Sequence, residues 1–310
     1  RRRRRLRPLD AEKEDDCLMV LKLIDYEDDT LDEEVWACEF PHQLAVEVLN
    51  GNEFMDISGI SKDVIDAFHP ISGASILNTR DVFVEQALDT KVMTLMIPED
   101  AQVDINVIEE THPRHHKQRR NRNRNLQGDP NNRALGEMSV LVVKVVDTNG
   151  VVNPLEDTMS EDWFGTSTLT FKSGFEQCSH NQLIMKPAVN IQVPYQAENQ
   201  IENGVLTVTL DIAVTGEDLQ NKAYAAAQAA VGPLYDQFDL VAFCQPPNGG
   251  WVAYAYVNSW ASFFNGRWCN RPSAQLHEIG HNLNMGHSNE PNRAGSQNNI
   301  VEGSRQDAFV

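Results

Sequence analysis

The sequence predicts an α/β or α+β layer domain over residues 134–310, preceded by a small, mostly β unit over residues 10–111. The first observation is that strand-length apolar runs alternate with two helical patterns in the C-terminal part, as in layered domains that combine helices with a sheet. The second is that the N-terminal part contains short apolar runs separated by acidic turns. A chain of 310 residues is long enough for both units.

The N-terminal region divides into a basic tail and the acidic unit. Residues 1–9 are rich in arginine, and we expect them to be disordered. Within residues 10–111, the apolar runs Leu18–Ile24 and Val92–Ile97 have the length of strands, and Val64–Phe68 is predicted to form a helical turn. We expect no catalytic residue in this unit.

Residues 112–133 form a basic linker with almost no apolar side chains. Arg119 and Arg122 have the R-x-x-R spacing that basic-residue-specific processing proteases cut, so we expect a cleavage site within Arg119–Arg124. A merely solvated linker is one alternative, and nucleic-acid binding by residues 114–124 is another. The net charge of −19 opposes nucleic-acid binding by the folded parts of the chain.

Four extended segments are predicted in the C-terminal domain. Val140–Val146 is apolar except for Lys144, as expected of a strand buried on both faces, whereas Leu206–Val214 alternates and should have one buried face. Leu240–Phe243 is another buried strand. Trp251–Val257 is either an edge strand that pairs with an extended peptide substrate or an ordinary part of a hairpin core.

Two helices follow from their end signals. Thr215 and Asp218 match a capping box, and the apolar stripe after them runs to about Val231, where Gly232 stops the helix. Ser273 is the predicted N-cap of the second helix.

The five cysteines indicate a secreted protein with one or two disulfides, although a reduced cytosolic chain also fits. Cys17 and Cys38 are expected to pair; alternatively, one of them binds zinc as a thiolate and keeps an enzyme latent. Cys244 and Cys269 bracket a hairpin-like region and could form a second disulfide. The odd number leaves one cysteine unpaired.

No apolar run reaches about 18 residues, so no membrane-spanning helix is predicted. The chain begins with Arg1 and has no hydrophobic signal-peptide core, which indicates either a removed leader or a fragment.

The strongest chemical signal is His277–His287, which reads HEIGHNLNMGH. His277 and His281 are four residues apart, so a helix places both imidazoles on one face, where they can bind one Zn²⁺. Glu278 then projects beside the metal and can accept a proton from an activated water. His287 offers a third nitrogen. Three protein ligands and one open position are typical of a catalytic zinc site, whereas structural sites have four.

The third histidine requires the helix to end before it. A continuous helix would direct His287 away from the other two, so the chain must turn near Asn284 through a left-handed residue, which asparagine tolerates second only to glycine. Glu302 is a competing third ligand, but its segment lacks a helical pattern, so His287 is preferred.

Residues 135–290 resemble the gametolysin (autolysin) peptidases of algae, which are metzincin zinc peptidases. The extended metzincin motif H-E-x-x-H-x-x-G-x-x-H is matched with Asn284 in the place of the glycine. The segments that carry the resemblance are Val140–Val146, Cys178–Gln182, Leu240–Pro247 and His277–Glu290. The acidic residues 10–111 are similar to the propeptide region of such proteins.

The resemblance implies a secreted zinc endopeptidase, made as a zymogen, with a metzincin-like catalytic domain of a mixed twisted sheet and an active-site helix. His277, His281 and His287 would bind zinc, and Glu278 would be the catalytic base. Metzincins also carry a methionine-containing turn after the third histidine. Residues 291–310 contain no methionine, so we expect the chain to be truncated or divergent just after the motif.

The sequence therefore predicts a zinc-dependent metalloendopeptidase that hydrolyses extracellular matrix or cell-wall proteins. Its expected partners are a protein substrate and a processing protease, with no nucleic acid and no membrane span. The alternative is a non-catalytic secreted binding protein that keeps a degenerate zinc site, which the missing methionine turn favours.

Overall fold

A computed structural model describes the chain in thirteen stretches: residues 2–4, 17–27, 33–40, 45, 53–78, 83–86, 93–98, 103–107, 136–148, 158–167, 169–189, 201–211 and 217–287. Several predicted features lie outside the described residues: the linker at 112–133, the cap Thr215, the competing ligand Glu302 and the segment 291–310.

The secondary structure is mixed α+β. The part before residue 112 contributes the strands β1 (Arg2–Arg4), β2 (Cys17–Tyr26), β3 (Glu33–Glu39), β4 (Phe54–Ser58), β5 (Ser75–Leu77), β6 (Phe83–Gln86), β7 (Met93–Met96) and β8 (Ile105–Val107), with helix α1 (Lys62–Phe68). The part after residue 133 contributes β9 (Gly136–Asp147), α2 (Met159–Phe164), α3 (Phe171–Cys178), β10 (Leu183–Pro187), β11 (Ile201–Glu202), β12 (Val205–Leu210), α4 (Glu217–Val231), α5 (Leu234–Gln237), β13 (Leu240–Gln245), β14 (Trp251–Tyr256), β15 (Ala261–Asn265), a 3-10 helix (Gly266–Asn270) and α6 (Pro272–Asn282).

Within the described residues, the strands of both parts form one 15-stranded mixed sheet. Its main path runs β1-β6-β7-β4-β3-β2-β14-β15-β13-β9-β12-β11, with β10 paired to β9 and with β5 paired to β2 and β8. The sheet crosses between the two parts where β2 pairs antiparallel with β14. This junction brings residues of the predicted N-terminal unit next to the histidine-bearing helix.

Strand β9 lies in the centre of the C-terminal core and is covered on both faces, as predicted for Val140–Val146. It pairs in parallel with β10, β12 and β13. Its odd-numbered residues pack with α4 on one face, and its even-numbered residues pack with α2, α3 and α6 on the other. Because both faces are covered, Val140 and Leu141 are fully buried although their side chains point to opposite sides.

Helix α4 ends at Val231, where it was predicted to end, and Gly232 follows with φ +82°. Its buried stripe of Leu219, Ala223 and Ala227 packs on the sheet, and the alanines leave room for a close approach. The strand before it, β12, alternates between buried and less buried residues as expected, and residues 212–214 of the predicted strand lie outside the described residues.

In the N-terminal unit, β2, β7 and α1 confirm the predicted elements. The predicted disorder is wrong for Arg2–Arg4, which pair antiparallel with Val84–Gln86 of β6. Strand pairing uses backbone N–H and C=O groups that arginine also carries, so an apolar pattern is not required. Among the described helices, none combines the length and the apolar character that a membrane crossing needs.

Candidate metal centre

Helix α6 presents the metal-binding motif. Its first residue is Pro272. Its N-cap is Arg271, whose side chain makes no capping hydrogen bond. The predicted cap Ser273 is therefore wrong by two positions, because proline at the first helical position already has the φ angle that a helix needs. The helix packs against β14 and β15 through its buried residues.

Three polar contacts hold α6 in place on the sheet. The buried Asn282 side chain donates from Nδ2 to the carbonyls of Tyr256 and Ala261, at 3.0 Å each. At the other end, Gln275 Nε2 donates to the carbonyl of Cys269 at 2.7 Å. Cys269 is itself bonded to Cys244 of β13, so the start of the helix is tied covalently to a central strand.

The helix ends through the turn that the motif spacing requires. Asn284 has φ +73°, the left-handed conformation predicted for this residue. The amide of Met285 donates to the carbonyl of Gly280 at 3.1 Å, and the amide of Asn284 donates to the carbonyl of His281 at 2.9 Å. This pair of bonds is a Schellman motif, and it returns the chain so that His287 faces the helix again.

Three imidazoles converge as a result. His277 Nε2 lies 3.0 Å from His281 Nε2 and 3.2 Å from His287 Nε2. A fourth donor comes from β2: Asp25 Oδ2 lies 3.0 Å from His277 Nε2, and Asp25 Oδ1 lies 3.3 Å from His287 Nε2. The four residues can each offer one ligand atom within 4.8 Å of the others.

The donor set fits zinc. In a tetrahedral site with bonds of about 2.0–2.2 Å, neighbouring donor atoms are roughly 3.3–3.6 Å apart. The four contacts between these side chains measure 3.0–3.3 Å, and all four donor atoms lie within 4.8 Å of one another. Imidazole nitrogen and carboxylate oxygen are both zinc ligands, whereas magnesium and calcium prefer sites made of oxygen. The metal's identity is a proposal, taken up below.

The surroundings of His281 fix its tautomer and its neutral state. His281 is 2% exposed, and its Nδ1 lies 2.8 Å from the carbonyl of Met285. A carbonyl only accepts, so Nδ1 carries the proton and Nε2 presents its lone pair to the cluster. Burial, followed by the charges of His277 and His287, lowers the pKa of His281 to about 3, which keeps the ring neutral at physiological pH.

No family model, no curated protein and no solved structure matches this chain. The resemblance to gametolysins therefore stays a prediction that rests on the quoted segments alone.

Asp25 is the member of the site that sequence reasoning missed. It follows the predicted strand Leu18–Ile24, in a unit where no catalytic residue is predicted. Burial opposes its ionisation, but hydrogen bonds and attraction from His277 and His287 outweigh burial and hold the pKa of Asp25 below its usual value. The sequence offers no signal for it beyond an acidic residue at the end of an apolar run, because only strand pairing places it beside α6.

Glu278 is on α6 beside His277, as the motif requires, and its side chain is 1% exposed. It does not belong to the group of four donors. Both of its carboxylate oxygens are buried, and its role as catalytic base stays a prediction.

The cysteines decide one alternative left open by the sequence. Cys17 is bonded to Cys38, and Cys244 to Cys269, as expected. The hypothesis that Cys17 or Cys38 binds the metal as a thiolate is wrong, because both sulfur atoms are used in a buried disulfide. Cys178 is the free cysteine and is exposed.

The Asn284 turn can be tested by two substitutions. We expect Asn284→Val to lower the free energy of unfolding by about 1–2 kcal/mol and to weaken zinc binding, because a β-branched side chain is strained at positive φ. Asn284→Gly should retain both properties within about 1 kcal/mol, because glycine adopts this conformation freely. Urea unfolding and chelator competition measure the two quantities. Equal zinc affinities in both variants would show that this turn does not place His287.

Proposed function

We propose that this chain is a zinc-dependent metalloendopeptidase with a metzincin-like catalytic domain, secreted and made as a zymogen. The observation that carries the proposal is the convergence of His277, His281 and His287 on one point, with Glu278 adjacent to His277 in the sequence of α6. A shared helix and its C-terminal turn bring these side chains together, as the motif H-E-x-x-H followed by a third histidine predicts. Two disulfides are compatible with an extracellular protein.

The roles of the side chains follow from their chemistry. His277, His281 and His287 would hold the zinc ion, and the Met285 carbonyl keeps His281 in the tautomer that can bind it. A bound zinc ion would supply Lewis acidity to a water molecule and to the scissile carbonyl. Glu278 would accept the proton of the attacking water and deliver it to the leaving amine. Its burial shields the carboxylate from bulk solvent.

The proposed substrates are extracellular matrix or cell-wall proteins, following the resemblance to gametolysins. The proposed processing partner is a protease that cuts within Arg119–Arg124. The large mixed sheet and the motif-bearing helix support a metzincin-like arrangement without being specific to it.

A second function is favoured by one observation. Asp25 adds a fourth protein donor, and zinc sites with four protein ligands are usually structural. A non-catalytic secreted binding protein with a closed zinc site would have this geometry. The two proposals differ in whether the chain hydrolyses protein once it has been cut within residues 112–133.

The test combines metal content with hydrolysis. We expect one zinc ion per chain by elemental analysis, and almost none in the His277→Ala/His281→Ala double variant. The full chain is then cut within residues 112–133 by a basic-residue-specific protease, which is inhibited afterwards, and incubated with fluorescent casein. Cut wild-type chain should hydrolyse casein in a chelator-sensitive way. Glu278→Gln treated in parallel controls for residual processing protease, and equal activity of the two would sink the proposal.

A further inference from the structure

Strand β2 pairs with β14, the strand that could pair with an extended peptide substrate. It pairs antiparallel with β14, from Tyr26 opposite Trp251 to Lys22 opposite Tyr256. Just beyond, the amide of Val257 donates to the carbonyl of Leu21 at 2.8 Å. With β15 on its other side, β14 has no free edge over these residues. An extended peptide that added itself to β14 would compete with β2 for the same backbone groups.

The pairing is irregular where it meets the metal site. The register shifts between Trp251 and Ala253, with Asp25 opposite Ala253. Such a bulge twists a strand pair and redirects the side chains beside it. Ala253 belongs to the core cluster on the α6 face of the sheet, so the paired Asp25 is directed to the same face.

Asp25 occupies a position that a catalytic zinc site leaves open. Its two carboxylate oxygens contact two different histidines, His277 through Oδ2 and His287 through Oδ1. The side chain is 19% exposed, so the contact is partly shielded from competing water. With three histidines and one carboxylate in place, a tetrahedral ion has no position left for a substrate carbonyl or a water.

We infer that β2 is a built-in occupant of the catalytic site: Asp25 is the fourth metal ligand, and the β2 backbone covers the β14 edge. This inference rests on the proposed zinc peptidase function and specifies how its latency is maintained. The latch is a carboxylate on a paired strand, and the cysteine thiolate that the sequence left open is excluded by the Cys17–Cys38 disulfide.

The remaining contacts explain why the occupant stays in place. Lys22 lies 5.5 Å from the ring centre of Tyr254 on β14 while it pairs with Asp56 of β4. Phe54 of β4 stacks on Tyr256, with ring centres 4.1 Å apart. The first contact joins β2 to β14 directly, and the second joins β14 to β4 of the same N-terminal part. Both hold the N-terminal strands against β14 whether or not a metal is bound.

Two further hydrogen bonds join the N-terminal and C-terminal parts through one carboxylate on β3. Glu39 accepts from Ser259 Oγ at 2.9 Å and from Trp260 Nε1 at 3.1 Å. Each disulfide joins two cysteines on the same side of residues 112–133, and the fifth cysteine is free. A cut in the linker would therefore leave the two parts joined by non-covalent contacts alone, and β2 could leave.

The test uses the uncut full chain loaded with Co²⁺, whose visible absorption reports coordination, and acetohydroxamate as a small metal-binding probe. Asp25→Ala should bind the probe at least about tenfold more tightly than wild type. If Asp25 occupies the fourth position about 90% of the time, only about a tenth of the wild-type molecules can bind the probe, which lowers the apparent affinity about tenfold. The variant should also release zinc more readily to a chelator. Asp25→Asn keeps the shape of the side chain and should give an intermediate value, which separates loss of a ligand from misfolding.

Glu27→Ala is the matched control. Glu27 is an acidic residue two positions further on that pairs with Arg267 outside the group of donors. Its removal changes the charge equally and should leave probe and zinc affinities at the wild-type values. Equal probe binding by wild type, Asp25→Ala and Glu27→Ala would overturn the inference.

The two proposals fail in different ways. Tight probe binding by Asp25→Ala together with no casein hydrolysis by any cut chain supports Asp25 as the occluding ligand and contradicts the peptidase function. Casein hydrolysis by uncut wild-type chain, equal to that of the cut chain, supports the peptidase function and contradicts the latch.

Discussion

Replacing His281 by alanine should lower the zinc affinity by roughly a thousandfold, equivalent to about 4 kcal/mol. His281 is the most buried of the three histidines and the one whose tautomer is set by a backbone carbonyl, so no water can replace it with the same geometry. The loss is measured by competition with a chromophoric chelator. Casein hydrolysis by the cut chain should disappear together with the zinc.

Glu278→Gln is the comparison that separates loss of the catalytic base from loss of zinc. It is an isosteric change on the same turn of α6, in a residue outside the group of donors. Zinc affinity should stay within about threefold of wild type, while hydrolysis by the cut chain falls by roughly 10²–10⁴-fold, the usual contribution of a general base. A large loss of zinc in Glu278→Gln would show that Glu278 is a ligand or supports one, and the roles assigned here would then be wrong.

The second large effect concerns the disulfide between Cys244 and Cys269. Replacing both residues by alanine should lower the free energy of unfolding by about 3 kcal/mol, because the bond closes a loop with a sequence separation of 25. It should also weaken zinc binding, since Cys269 lies three residues before the helix that carries the histidines and its carbonyl accepts the Gln275 hydrogen bond. Thermal and urea unfolding measure the first effect, and chelator competition measures the second.

The chain supplies its own control for this prediction. The Cys17–Cys38 bond closes a loop of similar length, with a sequence separation of 21, but joins β2 to β3 away from α6. Its removal should cost a similar amount of stability and leave the three-histidine site with a smaller loss of affinity. If both double variants lose zinc to the same extent, the disulfide before α6 has no special part in positioning the site.

Local patterns predicted the elements that depend on local interactions. The alternation and apolar runs around Val140–Val146 and Leu240–Phe243 identified central strands, because their burial is visible in the side chains themselves. The left-handed turn at Asn284 followed from the need to return the third histidine to the helix face, and its φ angle confirms it. The predicted start of α6 is wrong because Ser273, which could serve as a cap, stands next to Pro272, which suits the first helical position.

The three histidines, the adjacent glutamate and the bend before His287 can be predicted from the sequence, because helix periodicity and residue conformational preference act over a few residues. Tertiary structure alone decided that Asp25 completes the site and that β14 is covered on its outer edge. Strand pairing is made by backbone groups that every residue carries, so neither the partner of β14 nor its register is visible in the side-chain pattern. The sequence predicts a zinc site with one open position. In the folded chain, Asp25 from the N-terminal part of the sequence lies at that position.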